Sequence, residues 1–142
     1  LFTTLEKLGI QAIDKPRKIK RHLGQGKYAL EKNKLGIQNN EKHVSIVRNS
    51  LFEPNQNYNI NWEDFTFKQI QAAFRLNKPA IVSSHRVNFC GHISRDNRKD
   101  SLKQLKALLC KVVKHYPEVE FLSVDQLAEE IIKTTSQSNV EL

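Results

Sequence analysis

Apolar residues recur along this chain at two spacings, and the alternation between them predicts the elements. Phe2, Leu5 and Leu8 fall at helical spacing, and Gly9 follows where a helix C-cap belongs. Residues 10–13 then read as a short strand. His43, Val44, Ser45, Ile46, Val47 and Arg48 form the next strand, and Pro54 ends regular structure beyond it. Asn61 is placed to cap a helix at Trp62, whose apolar face is Phe67, Ile70, Ala73 and Phe74. Pro79 breaks that helix, and residues 80–85 read as a buried strand that turns polar at His85.

A loop is expected over residues 86–97. The clearest helix follows, with Leu102, Leu105, Leu108, Leu109, Val112 and Val113 on one side and lysines 103, 106, 111 and 114 on others. Pro117 closes it. Val119 to Leu122 predicts a short strand, and Ser123 with Gln126 makes a capping box that opens a last helix through Leu127, Ile131 and Ile132. Residues 134–142 read as a polar, frayed tail.

Residues 14–42 break this rhythm. They are polar, basic and punctuated by Gly24, Gly26 and Gly36. They read as a long loop, with a short helix near Tyr28 to Lys32. Lys15, Arg17, Lys18, Lys20, Arg21, Lys27, Lys32 and Lys34 crowd it, and it carries much of the net charge of +8. The first reading of such a run is a solvated loop, with an anion-binding patch second.

Strands that alternate with helices predict an α/β protein with a parallel sheet covered by helices. In such folds, chemistry gathers at the C-terminal strand ends. Arg48 and His85 both occupy such ends. A histidine there suits general acid–base work, and Arg86 and Asn88 could bind a polar substrate.

The 142 residues suit one domain, with 39% hydrophobic and 27% charged residues. No stretch is long and apolar enough for a membrane span. Cys90 and Cys110 cannot build a disulfide framework. His85, Cys90 and His92 are zinc-type residues, but they lack a fourth partner and the usual paired spacing. No methionine occurs, and a helix-to-strand unit is already under way at the first residues, so we expect the chain to continue upstream.

Lys78 to Phe89, with His85 at the strand end, resembles the last motif-bearing strand of polysaccharide deacetylases with the nodulation-factor-deacetylase type of barrel. The similarity continues through Asn97 and Arg98, the helix of Leu102 to Val113, and Tyr116 to Phe121. Upstream, Val47 to Pro54 also resembles this group. The resemblance implies the C-terminal part of a distorted parallel (β/α) barrel, about four strands alternating with helices, over residues 1–133. It implies a hydrolase that removes acetyl groups from N-acetylated sugars of a carbohydrate polymer.

The resemblance further implies His85 as the acid for the leaving amine. Arg48 stands where the family has an arginine leading Arg-x-Pro, although the proline here comes later, at Pro54. Trp62 with Asp64 resembles the family's acidic-plus-Trp motif, in altered order, which makes Asp64 the expected carboxylate near His85 and Trp62 an expected substrate contact. The implied cofactor is a divalent metal, commonly zinc, held by an Asp and two His. No Asp-Asp pair and no His-x-x-x-His occurs in this chain. Those ligands are expected before Leu1, so no metal site and no activity are expected of this stretch alone.

With only about four strands, an open sheet edge is expected to need the missing half of the barrel or a second copy. Three other readings remain. One is a non-catalytic carbohydrate-binding barrel built on Arg48, Trp62 and His85. Another is a glycoside hydrolase using Glu53 and Asp64 as paired carboxylates. The last is a nucleic-acid module built on the basic segment, which ranks behind because Tyr28 is its only stacking aromatic.

Overall fold

A computed structural model describes residues 2–37, 43–56, 59–92 and 94–138. The chain divides into two compact units. One comprises Leu1–Val47 with Phe121–Leu142, and the other is Arg48–Glu120.

In the first unit, helix α1 (Phe2–Lys7) ends at Gly9, whose φ of 70° is the left-handed turn a C-cap requires. Strand β1 (Ala12–Asp14) runs parallel to β5 (Val44–Ile46), pairing Ala12 with Val44 and Asp14 with Ile46. Strand β4 (Gly36–Ile37) lines the other edge of β5, antiparallel. Central β5 is buried along its whole length. Helix α4 (Val124–Ser138) packs on all three strands. It opens as the capping box predicts, with the Ser123 amide donating to Gln126 Oε1 at 2.8 Å.

Residues 14–37 depart from the expected loop. Strands β2 (Lys18–Gly24) and β3 (Lys27–Lys32) form an antiparallel hairpin, so no helix forms near Tyr28. The turn is made by Gly24, Gln25 and Gly26, all at positive φ, which glycine tolerates freely. The hairpin escapes a hydrophobic-pattern reading because neither face is apolar. Residues 38–42 of the expected loop lie outside the described residues.

In the second unit, the order is β6 (Ser50–Leu51), α2 (Trp62–Arg75), β7 (Val82–Ser83), a 3-10 turn (Arg86–Phe89) and α3 (Arg95–His115). Asn61 and Ser94 cap the two helices, each accepting from the amide three residues on. Strands β6 and β7 are parallel. The free edge of β6 is satisfied by helix side chains. Gln69 Oε1 accepts from the Leu51 amide at 2.6 Å, and Thr66 Oγ1 donates to the Leu51 carbonyl at 2.6 Å. Buried backbone groups need partners, and α2 supplies them where no strand does.

Phe52, Trp62, Phe67, Ile70, Leu108 and Val112 form the core between α2, α3 and the sheet. Phe74 and Tyr116 close its end, with rings edge to face at 4.9 Å. The strand expected over Val119 to Leu122 is absent. Val119 donates back to the Tyr116 carbonyl at 3.0 Å in a turn after Pro117, and its side chain packs against the core instead. Residues 134–138, expected as tail, continue α4. The hydroxyls of Thr134, Thr135 and Ser136 bond back to carbonyls one turn earlier. Residues 139–142 lie outside the described residues. Among the described residues, no helix is long and apolar enough to cross a membrane.

Candidate acid–base site

The register of the two short parallel strands brings the site together. Leu51 pairs with Ser83, and the Phe52 amide extends the ladder to the Ser83 carbonyl at 2.9 Å. Two residues beyond Leu51 is Glu53, and two beyond Ser83 is His85. Both therefore emerge at the C-terminal ends of adjacent strands, where parallel folds place their chemistry.

Glu53 is 1% exposed. A carboxylate this buried is stable only when its oxygens are paired. Its Oε1 accepts from the His85 backbone amide at 3.1 Å and lies 2.6 Å from the His85 ring Nδ1. Its Oε2 accepts from Asn88 Nδ2 at 2.7 Å. Asn88 is itself fully buried, and its Oδ1 accepts from the Asn55 amide at 3.1 Å. The same Nδ2 lies 2.9 Å from the His85 carbonyl and 3.1 Å from Ser84 Oγ. One carboxylate thus holds the strand end, the 3-10 turn and the imidazole together.

The His85 side chain, in contrast, is 70% exposed. Against a carboxylate, which only accepts, the ring donates from Nδ1, and that tautomer leaves Nε2 free of the Glu53 contact. Nε2 offers a lone pair when the ring is neutral and a proton when it is charged. A buried acid that orients an exposed histidine is the arrangement that general acid–base catalysis needs.

The other sequence candidates fall in separate places. Arg48 Nη1 donates to Ser83 Oγ at 3.2 Å, bracing the base of the His85 strand. Asn88 is spent on holding Glu53. Arg86 is exposed on the 3-10 turn. Trp62 is buried in the core, with Nε1 3.4 Å from the Gln56 carbonyl, and one edge of it borders a cleft. Asp64 stands outside the His85 network. It pairs with Lys111, which also reaches Glu63 at 3.1 Å. The Lys111 hydrogen bond and charge hold the Asp64 carboxyl below its ordinary value. Hydrogen bonds from Asp64 and Glu63 raise Lys111 in return.

The family resemblance implies Asp64 as the carboxylate near His85, whereas Glu53 is the carboxylate bonded to it. A signal was present, since each acid–base residue stands the same two positions past a short β-forming dipeptide, Ser50-Leu51 and Val82-Ser83. The parallel register that aligns the two dipeptides is a tertiary fact.

The cleft bordered by Trp62 has a volume of about 390 Å³. Asn55, Gln56, Asn97, Asp100 and Gln104 line much of it. It meets the network through Asn55, which follows Glu53 by two residues and whose amide donates to Asn88. Asn97 Nδ2 also donates to the Val87 carbonyl at 3.0 Å, tying the start of α3 to the 3-10 turn. Amides and a carboxylate around an aromatic edge suit a neutral, hydroxyl-rich ligand.

The metal implied by the resemblance does not fit the residues described. No group of three or more His, Cys, Asp or Glu side chains gathers among them, and both Glu53 oxygens are taken by N–H donors. Comparison of the chain with protein-family models, with curated proteins and with solved structures yields no match.

Proposed function

We propose that this chain supplies the proton-transfer half of a carbohydrate N-deacetylase-type hydrolase, with His85 as general acid and Glu53 as the group that positions it. The Glu53–His85 pair carries the reading. Water adds to the acetyl carbonyl carbon, and as the C–N bond of that tetrahedral adduct breaks, charged His85 gives its Nε2 proton to the sugar nitrogen, so that acetate and the free amine leave. The ring is left neutral, with Nδ1–H still on Glu53. The amide-lined cleft supports a sugar as the ligand. The resemblance around His85 supports N-acetyl removal, and the parallel β6–α2–β7 unit is compatible with part of a (β/α) barrel.

The test is acetate release from N-acetylated chito-oligosaccharides by the full natural protein. His85→Ala is expected to lower kcat by about 10²–10⁴-fold, the usual worth of a positioned acid. An unchanged kcat rejects the assignment. The second reading, a carbohydrate-binding relative without catalysis, is favoured by the same cleft. Oligosaccharide binding with no acetate release from the full natural protein would select it.

A further inference from the structure

The β2–β3 hairpin touches no other helix or strand among the described residues. Nearly all of its side chains are exposed or half-exposed. An isolated two-stranded hairpin is marginally stable in water, so an arm of this kind gains from a surface to lie on.

Its register sorts the side chains by face. Lys18 is opposite Lys32, Lys20 opposite Leu30, and His22 opposite Tyr28. Residues directly opposite share a face, as do alternate residues along a strand. One face therefore carries Lys18, Lys20, Lys32, His22, Tyr28 and Leu30, with no acidic side chain on it. The acid of the hairpin, Glu31, is on the other face, paired with Arg21 at 2.9 Å. Like charges set directly opposite, as Lys18 and Lys32 are, weaken a ladder until an anion lies between them. Beside the lysines, Tyr28 is 61% exposed and meets His22 edge to face at 5.1 Å. An aromatic platform among ammonium groups matches a sugar ring that bears carboxylates.

We propose that this face of the hairpin is a binding arm for an anionic polysaccharide. Together with the proposed function, on which the N-acetyl part rests, this makes the substrate class an N-acetylated glycan that also bears carboxylates. Single-stranded nucleic acid fits less well, because stacking of successive bases needs several aromatics and this face has one tyrosine.

The probe is a hyaluronan oligosaccharide, which alternates glucuronate with N-acetylglucosamine. Its carboxyl-methylated form is the neutral control, and duplex DNA the competing polyanion. Titration of the full chain is followed by amide chemical shifts and hydrogen exchange. The expected result is shifts centred on residues 18–32, slower exchange of the hairpin amides when ligand is bound, and loss of binding to the methylated form. The triple variant K18Q/K20Q/K32Q should bind about tenfold more weakly, as removal of three exposed charge contacts predicts. Unchanged affinity of the triple variant overturns the proposal. So does absent binding of hyaluronan, or tighter binding of duplex DNA. Hyaluronan binding by the full natural protein without acetate release from N-acetylated oligosaccharides counts against the deacetylase reading alone, and leaves the binding arm standing.

Discussion

The β2–β3 hairpin and the β6–α2–β7–α3 unit are held by different physics. The hairpin has a ladder of its own, an exposed ion pair and almost no buried surface. The second unit has strands of only two residues, yet it buries Phe52, Trp62, Phe67, Ile70, Leu108 and Val112. Strand length therefore does not measure how firmly a strand is fixed. Burial and side-chain pairing do, and they hold the strand ends from which Glu53 and His85 emerge.

The largest effect expected from this contrast is in stability. Phe52→Ala removes a side chain that is 1% exposed and should cost about 3–5 kcal/mol in urea unfolding. Tyr28→Ala on the hairpin face should change stability by less than about 0.5 kcal/mol. Equal losses for the two would break the comparison and place the hairpin in the cooperative core.

How much of this was legible in the sequence follows the same division. Helices α2 and α3 were readable because their apolar residues face one core and because Asn61 stands at a cap. The capping box of Ser123 and Gln126 was readable for the same local reasons. The hairpin was not, since one face mixes lysines with Tyr28 and Leu30 and the other mixes Ile19 and Ala29 with Arg21 and Glu31, so apolar periodicity is silent there. His85 was found as a strand-end histidine. Glu53 was read as a possible partner of Asp64 and not joined to His85, because nothing local links it to a strand end so far along the chain. The partner of His85 depends on register between strands 30 residues apart in sequence, roughly the length of a βαβ unit. The family resemblance pointed to Asp64 instead, and only packing shows that α3 brings Lys111 to it.

A middle-sized effect sharpens the role of Glu53. Glu53→Gln keeps the shape but exchanges one acceptor oxygen for a donor beside either His85 or Asn88. A cost on the order of 1–3 kcal/mol is expected, since a buried polar group loses its partner. Stability alone would not separate support from positioning. The imidazole nitrogens do so. In wild type at about pH 9, where an ordinary histidine is neutral, ¹⁵N spectra should show His85 protonated at Nδ1. In the variant, the Nε2-protonated form should gain population. An Nε2-protonated ring in wild type would break the claim that the Glu53 contact leaves Nε2 free.

The smallest effect belongs to Asp64 and Lys111, a pair at the surface of the well-packed unit. Asp64 is held below its ordinary 3.8 by the Lys111 hydrogen bond and charge. A carboxyl lowered in the folded state contributes stability above its unfolded value, and that contribution is lost as pH falls through the folded one. Asp64→Asn should therefore melt slightly below wild type near neutral pH, and the two curves should converge as pH drops beneath 3.8. Salt should narrow the gap at neutral pH, because both partners are open to solvent. Lys111 lies above its ordinary 10.5, with Asp64 and Glu63 as the cause, so its share persists through neutral pH and fades only as pH rises past that value. A gap that widens on acidification, or one insensitive to salt, would mean that Asp64 is engaged by something other than Lys111.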